Sequence, residues 1–502
     1  MSTRLNTRLN TPAEAADWLA RHVRGTLHAD SRAIGAGDGF LAWPGAATDA
    51  RRFVSQVLDA GASACLVEAA GVDAASAADA RVAVYEGLKQ ASAPIASLYF
   101  GEPSREIALL AVTGTNGKTS TAWWLAQALG FLGHRAGVIG TLGIGEPGAL
   151  SMNGLTTPDP VLLQRELRRM VTEGFEACAI EASSIGLAEG RLDGSLISTA
   201  IFTNFTQDHL DYHGSMQAYW AAKRRLFFWP GLRTAIINID DTHGAELAAQ
   251  LEGRAELDLW TVSVASAARL WASGIRYGAS SVRFDVCEGD MRLEVRAGVI
   301  GDYNVANLLG VIAALRSRGV PLSSAAAVCA HLTAVPGRLE SIALDGLPLA
   351  VVDYAHTPDA LEKVLQALGP VAEQRGGKLW CVFGCGGDRD PVKRPLMGAA
   401  AEGGADKIVI TSDNPRSESP VTIIGQIVAG LAQPDAAMVE PDRARAITRA
   451  LDDARSEDVI LIAGKGHEAY QEIRGVKHDF SDRTLAEAVL SRRAARQAGA
   501  PA

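Results

Sequence analysis

Short, uninterrupted apolar runs recur along the chain, and a polar or glycine-rich loop follows most of them. LAVVDYAHTPD (349–359), LWCVFGCGGDRD (379–390), KIVITSDNPR (407–416) and DVILIAGKGHE (458–468) carry this pattern, with helical stretches between them. Continuous apolar runs of this length read as strands buried on both faces, and strands alternating with helices predict a doubly wound parallel sheet. Ligands of such sheets bind beyond the carboxyl ends of the strands, where all of these loops fall.

Upstream, Ile107 to Val112 is another apolar run. A glycine-rich turn follows at once, Thr119 to Leu132 has helical apolar spacing, and RAGVIGT (135–141) begins a further strand, so the segment predicts a βαβ unit. FEACAIEASS (175–184) and STAIFTNF (198–205) read as strands of the same sheet. HADSRAIGAGDGFLAWPG (28–45) and SACLVE (63–68) suit a small mixed α/β unit. The turn GEPSRE around Pro103 marks one boundary and PGRLE (336–340) a second. The expected architecture is therefore α/β in three domains. A small mixed domain spans 1–103, a central P-loop ATPase-like parallel-sheet domain spans 104–336, and a Rossmann-like doubly wound domain spans 337–502.

Length agrees, since 502 residues at about 150 per domain give roughly three. With 48% hydrophobic and 21% charged residues, a chain disordered throughout is excluded. The net charge is 48 − 57 = −9, and no run of basic residues offers a nucleic-acid face. No apolar run approaches the ~20 residues that span a bilayer, and MSTRLNTRLNTP lacks the apolar core of a secretory signal. The six cysteines are sparse and scattered, as expected of reduced thiols. These features lead us to expect a cytoplasmic protein with no nucleic-acid partner and no membrane insertion; small-molecule partners and a monomeric state are further expectations that composition does not supply.

Gly114, Thr115, Asn116, Gly117, Lys118 and Thr119 follow the Ile107–Val112 run and open the helix. Glycines let backbone N–H groups face phosphate oxygens, the helix N-terminus adds a favourable dipole, Lys118 adds a point charge, and the Thr119 hydroxyl suits Mg²⁺. Val112 stands five residues before Gly117, so the full G-x-x-x-x-G-K-[ST] pattern is not met and the loop is a shorter variant. The plain alternative is an ordinary glycine turn; the order strand, loop, helix favours phosphate.

TGTNGKTS (113–120) resembles the short phosphate loop of the Mur ligases, ATP-dependent amide-forming enzymes of peptidoglycan assembly. ADSR (29–32), TTPD (156–159), EASS (181–184), TNFTQDHLDYHG (203–214), YWAAK (219–223), GDYNVAN (301–307), PGRLE, DYAHTPD (353–359), GCGGDRD (384–390), SDNPR (412–416) and GKGHE (464–468) occur in the order that family shows. The resemblance spans nearly the whole chain. It implies a ligase that adds meso-diaminopimelate to UDP-N-acetylmuramoyl-L-alanyl-D-glutamate through an acyl phosphate. An L-lysine-adding Mur ligase and a folylpolyglutamate synthetase are the neighbouring alternatives. A P-loop nucleotide switch or a kinase is the alternative of a different class, and neither would need the DNPR and GKGHE loops.

The same resemblance implies roles by position. Asn304, Asn307, Arg338 and Asp353 join the phosphate loop as ATP contacts, with Asp353 toward the ribose. Thr119 and Glu181 would hold Mg²⁺. His209 would hold a second Mg²⁺, with Lys223 as a CO₂-derived carbamate. Lys118, Lys223 and His209 are the implied catalytic residues. Ser31 and Ala46, Ala47 and Thr48 fall on the uridine-diphosphate side, and Thr156, Thr157, Ser183 and Arg191 on the muramyl dipeptide side. Arg389, Asp413, Asn414, Pro415, Arg416, Gly464 and Glu468 would take diaminopimelate. Arginines suit its carboxylates and acidic groups its ammonium ends.

Each residue also has a bland reading. Lys223 reads as a surface helix lysine, Glu181 as a solvated strand end, the asparagine pair as helix capping, and Thr156–Thr157 as a turn before Pro158. Two positions depart from the family pattern. Ile185 stands where His is frequent, and Glu189 stands where Gln is frequent, which sets a negative charge near an anionic substrate beside Arg191. Cys381 and Cys385 lack the partners of a zinc site. Trp123 and Trp124 suit helix packing. The sequence identifies no proton acceptor for an incoming amine and leaves His356 without a role.

Overall fold

The computed structural model describes residues 7–45, 48–73, 78–278 and 281–497. Among the described residues three sheets organise the fold, with a separate hairpin near the end. The first sheet is wholly parallel, in the order Thr7–Leu9, Val82–Tyr85, Ala64–Glu68, Gly39–Ala42, Leu27–His28. The helices Pro12–His22 and Leu88–Tyr99 pack together over it.

The second sheet is the largest. At its centre Ala108–Thr113 lies between Ile197–Phe202 and Ala177–Glu181, all parallel. Every residue from Leu109 to Thr113 is buried, as its continuous apolar run requires. Helix Lys118–Phe131 leaves this strand's carboxyl end and packs against helix Asp302–Ser317. Trp123 and Trp124 are buried in the core beneath it. The sheet extends at one edge through Leu270–Tyr277, Val282–Glu288 and Met291–Ala297, antiparallel where the last two join.

The third sheet places Leu349–Asp353, Val459–Ala463, Leu379–Phe383 and Lys407–Ile410 side by side and parallel. These are the strands expected from the repeated pattern. An antiparallel strand, Glu340–Ile342, closes one edge, and Met438–Val439 the other. The hairpin Tyr470–Ile473/Val476–Asp479 stands apart. All six cysteines are buried and free. Burial pushes the thiols of Cys65, Cys329 and Cys385 up to about 12. No helix among the described residues is long and apolar enough to cross a membrane.

Candidate active site

The phosphate loop is built on glycine. Gly114 has φ +152° and Gly117 φ +85°, and a Cβ at either would meet Thr203 Oγ1 at 1.9 Å or Asn307 Oδ1 at 2.5 Å. No side chain caps the helix that begins at Lys118, so its first N–H groups remain open to an anion. The segment after Ile197–Phe202 laces the loop. Thr115 N–H donates to the Asn204 carbonyl at 2.8 Å and Asn116 N–H to Asn204 Oδ1 at 2.9 Å, while Asn204 Nδ2 and Thr203 Oγ1 donate to the Asn116 carbonyl. Lys118 Nζ folds back onto the carbonyls of Gly114 and Thr115, at 3.0 and 2.8 Å. Burial lowers its pKa.

Lys223 is 1% exposed, which overturns the reading of it as a surface lysine. Its Nζ donates to the Gly114 carbonyl at 2.6 Å and lies over the Tyr219 ring. Burial, with Lys118 beside it, drives its pKa well below the usual lysine value. On the other side of the loop Thr119 Oγ1 donates to Glu181 Oε2 at 2.9 Å, and Thr141 N–H donates to Glu181 Oε1 at 2.7 Å. Glu181 is buried, not a solvated strand end. Paired hard oxygens suit Mg²⁺, which takes its other ligands from water and phosphate. No group of three or more His, Cys, Asp or Glu side chains forms a metal cage among the described residues. His209 has φ +52°, a strained value for a non-glycine, and its Nε2 lies 3.4 Å from Asp208. Burial lowers its pKa, and Lys118 and Lys223 reinforce this.

A cleft opens from this loop toward the third sheet. Asn116, Gly117, Thr119, Asn304, Asn307, Arg338 and Asp353 line it together with Tyr303, Tyr354 and His356. Asn304 and Asn307 sit inside the Asp302–Ser317 helix, and Asn307 Nδ2 donates to Asn304 Oδ1. Arg338 reaches Thr119 Oγ1 at 3.3 Å and lies over the Tyr354 ring. Its Nε is buried without a partner, so the guanidinium keeps an unused donor. Asp353 lines the cleft, but both carboxylate oxygens accept backbone N–H groups, of Leu339 and Ala355, each at 2.7 Å. It thus fixes the turn that carries Arg338.

Thr157 Oγ1 donates to the Glu181 carbonyl and pairs with Ser183 Oγ at 2.9 Å, while Arg191 Nη1 donates to the Thr157 carbonyl at 2.8 Å. Thr156 Oγ1 meets Thr141 Oγ1 at 3.0 Å. These residues therefore adjoin Glu181. Ser31 opens a short helix capped by Asp30, and Thr48 is exposed at the first sheet. Ala46 and Ala47 lie outside the described residues. The charge of Glu189 is countered: Lys89 approaches it at 2.6 Å and Tyr212 Oη donates to it. Despite burial, these partners hold its carboxyl below the usual range.

A second cleft joins the sheets. Arg389, Asp413, Asn414, Arg416, Gly464 and Glu468 line it opposite Asp208, His209 and Ile185. Asn414 Nδ2 donates to Glu468 Oε2 at 2.8 Å; Pro415 follows it in the same turn. Arg416 adopts φ +50°, held by backbone bonds to Glu472 and Arg474 of the terminal hairpin, and its Nη1 donates to the Gly387 carbonyl. A Cβ on Gly464 would lie 2.5 Å from Asp413 Oδ2.

Sequence reasoning missed several participants. Lys465 is fully buried and its Nζ bonds both Asn414 Oδ1 and Glu468 Oε2. Arg443 and Asp482 form a buried pair, and Arg443 also donates to the carbonyls of Ser412 and Ala463, from which the DNPR and GKGHE loops depart. Asp359 accepts from Asn116 Nδ2 and Thr206 Oγ1, both at 3.2 Å. Lys465 lies in the singled-out GKGHE motif, but nothing there marks its side chain as the buried one; Arg443 and Asp482 carried no local signal.

Family models match twice: the Mur ligase middle domain over residues 112–315, and the Mur ligase, glutamate ligase domain over 337–466. The chain is 56% identical to a UDP-N-acetylmuramoyl-L-alanyl-D-glutamate–2,6-diaminopimelate ligase of Acidovorax sp. (strain JS42), covering 97% of this chain and 98% of that protein. It is 45% identical to the ligase of the same name from Pseudomonas aeruginosa, covering 96% and 97%. A solved structure of a ligase with this name is 34% identical, with a TM-score of 0.65 over 93% of this chain and 95% of that one. MurF from Thermotoga maritima in complex with ADP shares the fold at 17% identity, TM-score 0.66, over 93% of this chain and 98% of that one.

Proposed function

The chain belongs to the Mur ligase family, and from that premise we propose that it joins meso-diaminopimelate to UDP-N-acetylmuramoyl-L-alanyl-D-glutamate at the expense of ATP. It would act as a cytoplasmic monomer, in peptidoglycan precursor synthesis. One observation carries the choice of acceptor. The second cleft sets Arg389 and Arg416 beside Asp413 and Glu468, a charge pattern complementary to a distal zwitterion. A lysine side chain lacks the distal carboxylate that would face these arginines, so it would forgo that pairing.

A carboxylate is a poor electrophile. Transfer of the γ-phosphoryl group of ATP to it creates a leaving group, which the amine then displaces. Positioning and charge neutralisation are the protein's main tasks. Lys118 would exchange its loop carbonyls for phosphate oxygens, and Arg338 would bring its unused donor. Mg²⁺, held by Thr119 and Glu181 and at a second position by His209 and a Lys223 carbamate, would neutralise phosphate charge. Only a neutral amine reacts with CO₂, and the burial of Lys223 favours that form. Arg191 and the Thr157–Ser183 pair would hold the dipeptide end beside Glu181.

Phosphate release with ATP, Mg²⁺ and the nucleotide-linked dipeptide, on adding meso-diaminopimelate or L-lysine in parallel, tests this. Release and a tripeptide product by mass spectrometry with diaminopimelate alone are expected. A lysine product would overturn the acceptor, and no product with either would overturn the muramyl substrate.

A further inference from the structure

We propose that His356 is the proton acceptor for the incoming amine, an assignment that rests on the ligase reading above. Among the described residues it is the histidine that lines both clefts, the nucleotide side and the acceptor side. His209 lines only the acceptor cleft, and His467 lines neither. The ring is oriented: Nδ1 lies 2.8 Å from the Tyr354 carbonyl, which can only accept. The proton of a neutral imidazole therefore sits on Nδ1, and Nε2 keeps its lone pair. Lys393 Nζ donates to the His356 carbonyl at 3.0 Å and anchors the loop from the neighbouring helix. Tyr354 packs edge-on against the ring at 4.8 Å.

Charged groups reach His356 from each side: Asp208 from the central sheet, Arg338 from the connecting turn, Lys393 from the third sheet's helix. Burial, then Lys393, lowers its pKa, which keeps the imidazole neutral near pH 7. The step balances. Nε2 takes one proton from the ammonium end of diaminopimelate, freeing the nitrogen lone pair. That pair forms the C–N bond at the acyl carbon. The C–O bond to the phosphoryl group breaks, its electron pair leaves with phosphate, and the second amine proton passes to solvent.

The test uses the full chain with His356→Gln and His356→Ala, both checked for unchanged melting. Each is supplied with ATP, Mg²⁺ and the nucleotide-linked dipeptide, and with either diaminopimelate or hydroxylamine, a nucleophile already uncharged at neutral pH. The expected result is a loss of about 10²-fold or more with diaminopimelate at pH 7, the usual contribution of a general base. That loss should shrink as pH rises toward the amine's own pKa, and hydroxamate formation should fall only a few-fold. Equal losses with both nucleophiles would make His356 a nucleotide-positioning residue and overturn the proposal. So would an unchanged diaminopimelate rate. If the wild-type chain makes no tripeptide, the ligase reading fails first and the assignment falls with it.

Discussion

At the scale of the residue, the candidate site depends on buried charges that are closely paired. Arg394 is 1% exposed and forms a bidentate pair with Glu418, at 2.8 and 2.7 Å, while also reaching the Gly386 carbonyl. Glu418 in turn accepts the Asp388 N–H, so the pair shapes the loop that carries Arg389. Arg394 holds the Glu418 carboxyl at about 2, below its ordinary 4.5. A depressed carboxyl contributes stability that is present above the unfolded pKa and lost as pH falls through the folded one. Glu418→Gln should therefore lower the melting temperature at neutral pH, and the gap from wild type should narrow as pH falls from about 4.5 to about 2. A gap that stays constant over that range would sink the assignment. Residue identities such as Lys118 and Arg416 were legible because they sit in short motifs of unusual composition. Asn204 and Lys465 were not, because nothing in TNFTQDHLDYHG or GKGHE says which polar side chain turns inward.

At the scale of the element, legibility followed burial. Strands buried on both faces read as continuous apolar runs, and Ala108–Thr113 and the parallel strands of the third sheet were visible for that reason. Met291–Ala297 buries only Val295 and Ala297 and Val476–Asp479 is exposed throughout, so no long apolar run marks them. The helix starts at Arg443 and Asp482 were equally silent, yet their buried pair fastens the two acceptor loops. Breaking such a pair leaves a guanidinium uncompensated, at a cost of roughly 3–5 kcal/mol. Asp482→Ala should lose stability of that order by denaturant titration. Before unfolding it should raise the KM for diaminopimelate more than that for ATP. Equal effects on both substrates would argue against a link to the acceptor loops.

At the scale of the whole molecule, both clefts take walls from the central and the third sheets, so closure of those two on each other would narrow both at once. Asp359 spans the gap: it bonds Asn116 of the phosphate loop and Thr206, while Lys363 pairs with it from its own helix. Asp359→Ala should leave the ligand-free protein more expanded in small-angle scattering, with little difference once ATP and the muramyl substrate are bound. An unchanged ligand-free profile would mean that packing elsewhere sets the closure. The boundary at PGRLE was legible as a turn. Its bridging by Asp359 was not, since the partners lie 243 and 153 residues away in sequence.

The burial of every native cysteine has a practical consequence for observing that closure. Maleimides must reach the sulfur they attack, and inaccessible thiols are slow targets. A pair of cysteines introduced on exposed surfaces of the central and third sheets could accept donor and acceptor dyes without first removing the native ones. Single-molecule energy transfer would then report the distance between the two halves through each turnover, in an otherwise unaltered chain.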